Sequence, residues 1–297
     1  MKKILEWTLG ILLGVFILMR VYYALTDDFR MGNISYDMPY EKEWEVAALS
    51  SSEEQKLETI LNQPYTYMSK GSQTYVFLSA DGRYVLKFFK FKHLRPALFV
   101  EWLPPFGPFK EYQEKQRSRK KRKLFGIYSS YKLAYEVNKE DSGLVFVQLN
   151  HFGNKSRQVT LFDKLGIKHE VNLEHIPFVL QKRGKVFRDV LDELLQKGDV
   201  ETAEKRIGQV FDMYVREYRK GIFDHDRGIM YNLGFVDDVP LHLDVGKLMV
   251  NEAISEPDVA KQDLASMGTK IKEWVQRYYP KEYDRLSRYI DNKIKSI

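Results

Sequence analysis

Cysteine is absent from this 297-residue chain. That excludes disulfides, thiolate metal sites and a cysteine nucleophile, so any chemistry must come from oxygen and nitrogen side chains. It does not select a compartment, because a disulfide-free chain serves on either side of a membrane. There is no internal repeat and no low-complexity tract. Around His225 no second histidine falls at metal-ligand spacing, which argues against a histidine metal centre there. Nothing in the chain resembles a nucleic-acid-binding module, so no nucleic-acid partner is expected. What is present is enough for a folded protein: 44% hydrophobic and 30% charged residues, with a net charge of +6. The length suits one large domain or two lobes with a real core.

Much of the basic excess lies in Arg117-Ser118-Arg119-Lys120-Lys121-Arg122-Lys123. A solvated helix face explains such a run; beside a membrane it would also attract anionic lipid headgroups. The N-terminus supplies the membrane. Ile4 to Leu25 is apolar except for Glu6 and Arg20, and its uncharged part, Trp7 to Met19, is shorter than the ~20 residues that a span requires. Arg20 can snorkel, and Trp7, Tyr22 and Tyr23 sit where interfacial aromatics belong. No small-x-small cleavage site follows, so the segment reads as an uncleaved single-pass anchor over 1–26. Gly10 and Gly14 form a G-x-x-x-G pair, which either lets two helices approach or is simply two glycines in an apolar helix. Lys2 and Lys3 favour a cytoplasmic N-terminus with the folded part outside.

Residues 27–62 read as a juxtamembrane linker ending in a short helix, with Ser51 as N-cap and Glu54 closing a capping box. Strand patterns follow at Tyr65–Ser69, Thr74–Ser79 and Tyr84–Phe89, with a hairpin turn at Asp81-Gly82. Phe88 to Phe109 mixes aromatics with Lys90, Lys92, His93 and Arg95. It fits either a loop packed into the core or a patch that dips into the bilayer interface. Lys110 to Val137 reads as helix, and Gly143–Leu149, Gln158–Leu165 and Ile176–Gln181 as strands. Helical spacing then dominates, at Asp199–Lys220, Val259–Tyr279 and Tyr283–Ile297. Strands first and helices later imply an α+β fold.

The chemistry-bearing residues stand in an informative order. Lys70-Gly71-Ser72-Gln73-Thr74-Tyr75-Val76 lies between two strands; Tyr84-Val85-Leu86-Lys87 follows. Ile176-Pro177-Phe178-Val179-Leu180-Gln181 comes next, then Asp224-His225-Asp226-Arg227-Gly228-Ile229-Met230-Tyr231-Asn232, and twelve residues on Asp244-Val245-Gly246. Together these resemble the protein-kinase-like superfamily in divergent form. The resemblance covers roughly residues 65–250. It implies a two-lobed fold, with a small antiparallel-sheet N-lobe at 63–184 and a short helical C-lobe at 185–297.

By that resemblance, Gly71 and Val76 would lie over ATP and Lys87 would reach its phosphates. A helix glutamate would orient Lys87, and Glu136 is preferred to Glu114. Phe178 and Gln181 would line the base pocket, Asn232 and Asp244 would bind Mg2+, and Asp226 would orient the acceptor hydroxyl. His225 would be a structural histidine of the catalytic loop. The sequence departs from the family pattern in several places: the usual cation two residues after Asp226 is missing, although Arg227 is close, and Val245 stands where D-F-G has a phenylalanine. Asp226 precedes Asn232 by six residues rather than five, Gly71 is one glycine of three, and no A-P-E-like motif follows. The implied activity is transfer of the ATP γ-phosphoryl group to a hydroxyl of a protein, sugar or lipid. The alternatives are a catalytically inactive pseudokinase serving as a membrane-tethered scaffold, and a small-molecule, sugar or lipid kinase. An ATP-using enzyme would place the folded part in the cytoplasm, against the charge bias of the anchor.

Overall fold

A computed structural model describes residues 2–36, 38–150 and 156–297. In chain order the elements are α1 (Lys2–Thr26), α2 (Met31–Ile34), α3 (Ser51–Leu61), β1 (Tyr65–Lys70), β2 (Thr74–Ser79), β3 (Tyr84–Phe89), α4 (Phe91–Leu94), α5 (Leu98–Glu101), α6 (Gly107–Glu136), α7 (Lys139–Ser142), β4 (Leu144–Gln148), β5 (Gln158–Phe162), β6 (Lys168–Asn172), β7 (Phe178–Lys182), β8 (Lys185–Val186), α8 (Phe187–Gln196), α9 (Val200–Arg219), β9 (Ile222–Asp224), α10 (Ile229–Asn232), β10 (Leu233–Val236), β11 (Val239–His242), β12 (Leu248–Val250), α11 (Pro257–Tyr278) and α12 (Tyr283–Lys295). The chain is α+β, as its pattern implies. It divides into two compact units, 1–41 with 49–117 and 150–179, and 42–48 with 118–149 and 180–297.

In the first unit five strands of the seven-stranded sheet run in the order β3-β2-β1-β5-β6. Asp81-Gly82 turns β2 into β3: the Asp81 carboxylate accepts the Arg83 N–H at 3.0 Å, and Gly82 takes φ +70°, where a side chain would be strained. The sheet is mixed rather than antiparallel, which corrects the expectation. The β5–β6 hairpin adds to the free edge of β1 and pairs with it in parallel, Thr66 opposite Phe162. β6 carries only one buried residue, Val171, so it has no apolar alternation to announce it; its pairing with β5 makes it a strand. Expected to reach Leu165, β5 ends at Phe162, and 163–167 is the turn.

Helix α3 begins one residue earlier than expected. Ser50 is the N-cap and Glu53 closes the capping box, while Glu54 pairs with Arg157 instead. Residues 27–34 are fixed to the sheet. Phe29 is buried edge-on against Tyr75 and Phe77, at 5.3 and 5.1 Å between centroids. Of the Phe88–Phe109 stretch, Phe88, Phe89, Phe91 and Leu94 are buried, as a loop packed into the core requires, whereas Phe99, Trp102, Phe106 and Phe109 are exposed.

The second unit is built on α9. The apolar stripe expected of the sequence is Ile207, Val210, Phe211, Tyr214, Val215 and Tyr218; all but the partly buried Val215 are buried in one core with α8, α11 and α12. Two small sheets, β11-β10-β8 and β12-β9, lie in this unit and carry the acidic segment between them.

Candidate functional site

Two groups of the expected site residues form, one in each unit. In the first, the β2–β3 register sets Val76 opposite Lys87, so both project from the same face of the sheet. Lys87 is 8% exposed. Gly71 sits in the β1–β2 turn; its N–H donates to Thr74 O at 2.9 Å and its carbonyl accepts from Lys90. Burial, then the charges of Lys70 and Lys92, push the Lys90 ammonium down to about 8. Phe178 is fully buried in β7.

In the second unit, β9 and β12 pair antiparallel, Asp224 opposite Leu248, and β10 and β11 do likewise, Leu233 opposite His242. Asn232 and Asp244 meet where these hairpins join. The Asn232 carbonyl accepts the N–H of Leu243 at 2.6 Å and of Asp244 at 3.3 Å. Asp244 Oδ1 in turn accepts the Gly246 N–H at 3.0 Å, an Asx turn that fixes its carboxylate. The Asn232 side chain folds over Gly228: a Cβ at residue 228 would lie 2.5 Å from Asn232 Nδ2 and 2.9 Å from Cγ. Any larger residue there would push the Asn232 amide aside. Val245 is buried, so the turn is held from below.

Asp226 is exposed, and its carboxylate lies 3.0 Å from Lys247 Nζ. The loop that carries it is clamped on both sides. Asp224 Oδ1 accepts the Asp226 N–H at 2.9 Å. Arg227 adopts φ +49°, an unusual conformation for a residue with a side chain, and reaches Asp263 Oδ1 at 2.9 Å, while Lys270 Nζ donates to the Arg227 carbonyl at 2.6 Å. Asp263 also accepts from Tyr218 at 2.6 Å. Helix α11 thereby holds the strained residue.

Beneath the loop lies a buried charge cluster. His242, at 0% exposure, presents Nε2 to both Glu217 oxygens at 2.9 and 3.0 Å. Its Nδ1 is 3.9 Å from Asp224 Oδ2. Asn138 Nδ2 donates to Glu217 Oε1 at 2.5 Å. Burial alone would lower the imidazole, but the Glu217 charge and hydrogen bond outweigh it, with help from Asp224, and raise it to about 9. Asp224 is pushed up, first by burial. Gln181 is committed to the same scaffold, since its amide donates to Ser142 O at 2.6 Å and His242 O at 2.7 Å. Glu136 ends α6 with Lys132 Nζ at 3.8 Å.

Sequence reasoning missed Glu217 and His242. Glu217 carried a signal, because it interrupts the apolar stripe of α9 between Tyr214 and Tyr218 and must find a buried partner. His242 carried none beyond its place two residues before Asp244.

The donor set suits a hard divalent cation. Asn232 and Asp244 offer an amide and a carboxylate oxygen from one backbone knot, and magnesium commonly takes one or two protein oxygens and completes its shell with phosphate and water. Among the described residues no group of three or more histidines and acids forms a denser metal cluster.

No family model matches the chain, and no curated protein matches it. Solved structures do. One is the crystal structure of WbdD, at 12% identity and a TM-score of 0.37, over 77% of this chain and 45% of that chain. A second is WbdD co-crystallised with the kinase inhibitor LY294002, at 12% identity and a TM-score of 0.35. A third, described as the bifunctional kinase-methyltransferase WbdD, is matched over 75% of this chain and 43% of its own, at 12% identity and a TM-score of 0.33. The chain spans less than half the length of these structures.

Proposed function

We propose that the chain is a membrane-anchored, divergent kinase-like phosphotransferase that moves the γ-phosphoryl group of ATP to a hydroxyl. The observation that carries this reading is the knot joining Asn232 to Asp244, fixed by the Asn232 carbonyl and the Asp244 Asx turn. Val76 opposite Lys87 in the other unit supports it. Asn232 and Asp244 would hold Mg2+, and the bound ion supplies charge neutralisation on the phosphates. Lys87 would contribute a point charge to the α- and β-phosphates. Asp226 would take the proton of the acceptor hydroxyl as the new oxygen–phosphorus bond forms and ADP departs. Helix α1 would hold the enzyme on the membrane, since Glu6–Thr26 is long and apolar enough to cross it.

The test is Mg-ATP binding and turnover by the full chain in detergent micelles. Asp244→Ala and Asn232→Ala should weaken magnesium-dependent nucleotide binding. Asp226→Ala should keep binding and lose about 10²–10⁴-fold in turnover. Failure to bind or turn over nucleotide would sink the reading. A pseudokinase is the second reading, favoured by the closure of Asp226 onto Lys247 and by the six-residue step to Asn232. Binding without turnover in the unaltered chain would select it.

A further inference from the structure

The turn between β5 and β6 is apolar where turns are usually polar. Leu165 is 51% exposed and Ile167 53% exposed. The turn is rigid. Asp163 Oδ1 accepts the N–H groups of Leu165 and Ile167, each at 2.9 Å. Asp163 Oδ2 lies 2.9 Å from His169 Nε2, and Gly166 takes φ +78°. Both apolar side chains are thus held outward by a hydrogen-bonded frame, at the hydration cost of two exposed aliphatic groups.

The same turn is tied to the end of the apolar helix. Lys164 Nζ donates to the Ala24 carbonyl, in the last turn of α1, at 2.9 Å and pairs with Asp27 at 3.1 Å. Tyr67 donates to Asp27 at 2.9 Å, and Lys70 pairs with it at 2.8 Å. Between Tyr67 and Ser69 the β1–β2 register slips, a bulge that turns out Met68, 47% exposed. β1 and β5 run parallel with Thr66 opposite Phe162, so Met68 and Lys164 lie beyond the same end of that pairing. At this end of α1, Lys70 also stands over the Tyr23 ring at 4.3 Å and Arg30 over Tyr22 at 5.0 Å. Aromatic rings capped by cations are the side chains of a bilayer's headgroup layer.

We propose that the β5–β6 turn is a lipid-inserted wedge, with Leu165 and Ile167, flanked by Met68, dipping into the interface of the bilayer that α1 spans. The inference rests on α1 being a membrane span and is independent of the phosphotransferase reading. The occupant is lipid because the tie to Ala24 places the exposed apolar tip beside the helix end, and the surrounding cations and tyrosines continue the girdle of that helix. Lys164 is taken by Asp27 and Lys168 by Glu170 at 2.6 Å, so the wedge acts by apolar insertion and needs no anionic headgroup.

The absence of cysteine makes the test direct. Nitroxide labels go on Leu165→Cys and Ile167→Cys in the full chain, reconstituted in phosphatidylcholine vesicles, with Leu13→Cys as the reference in the span. Collision with oxygen and with a water-soluble nickel chelate reports depth. Labels at 165 and 167 should favour oxygen, as the label at 13 does, and less strongly. Water-like labels at 165 and 167 beside a lipid-like label at 13 overturn the wedge alone. A water-like label at 13 overturns the span and the wedge with it, leaving the nucleotide assays untouched.

Discussion

Replacing Glu217 with glutamine should destabilise the second unit and remove most of its pH dependence on the alkaline side of neutrality. Glu217 and His242 are at 1% and 0% exposure, joined through both carboxylate oxygens at 2.9 and 3.0 Å. The His242 pKa is raised from 6.5 to about 9 in the folded protein. A group raised on folding stabilises fully below its unfolded value, so this contribution is complete below about pH 6.5 and disappears as pH rises through about 9. With ~1.4 kcal/mol per pH unit, a displacement of this size is worth on the order of 3 kcal/mol. Glutamine keeps the shape and removes the charge, which leaves a buried imidazole without its main partner. Breaking a buried pair from one side typically costs about 3–5 kcal/mol. Denaturant titrations of the full chain in micelles at pH 6, 7, 8 and 9 would read the effect, with tryptophan fluorescence as the signal; Trp274 packs against the core of this unit. The unaltered chain should lose stability steadily across that series, and Glu217→Gln should start lower and stay flat. Histidine-selective NMR gives the decisive check. A His242 that titrates at or below 6.5 in the folded protein, or a Glu217→Gln chain with the original slope, would refute the reasoning.

Gly228→Ala should displace the Asn232 amide, since the added Cβ would lie 2.5 Å from Nδ2, and weaken magnesium-dependent nucleotide binding by about 10–100-fold in calorimetry, as loss of a ligand-orienting contact does. Gly234→Ala places a Cβ 2.6 Å from the Lys185 carbonyl and 2.9 Å from Leu243, and should cost about 1–3 kcal/mol in denaturation by parting β10 from β8. Asp27→Asn removes a carboxylate whose pKa burial would raise, but which hydrogen bonds from Lys70, Lys164 and Tyr67 hold at about 2 against an ordinary 3.8. Its contribution is present above about pH 4 and lost as pH falls through about 2. The variant should cost about 1 kcal/mol at pH 7, after screening, and only a small fraction of that at pH 2, measured by the denaturation midpoint.

How much of this was legible depends on range. Helices α9, α11 and α12 were legible, because their apolar residues recur at helical spacing. The cap of α3 was ambiguous within one residue, since Ser50-x-x-Glu53 and Ser51-x-x-Glu54 both fit a capping box; Arg157, more than a hundred residues away, claims Glu54 and leaves Glu53 to the cap. The packing of residues 27–34 could not be read locally. Asp27 and Asp28 both take positive φ, and their partners Lys70, Lys92 and Lys164 come from strand β1, helix α4 and the β5–β6 turn. Asn232 and Asp244, twelve residues apart, are joined through the Asn232 carbonyl, and the resemblance read from the sequence had singled out both. Glu217 and His242 were not legible, since their meeting depends on how α9 and β11 pack rather than on any spacing in the chain.

The positive-φ pair at Asp27-Asp28 has a mechanical consequence. A loose tether in its place would let the folded part turn freely about the end of the helix. Here the last turn of α1 passes directly into contacts with β1, β2 and the Lys164 turn, through Tyr67, Tyr75 and Lys164. The helix is therefore a mast and not a leash. With α1 in a bilayer, as proposed, the sheet of the first unit would stand at a set height and heading over the lipid, and any group that meets it would have to come to that height.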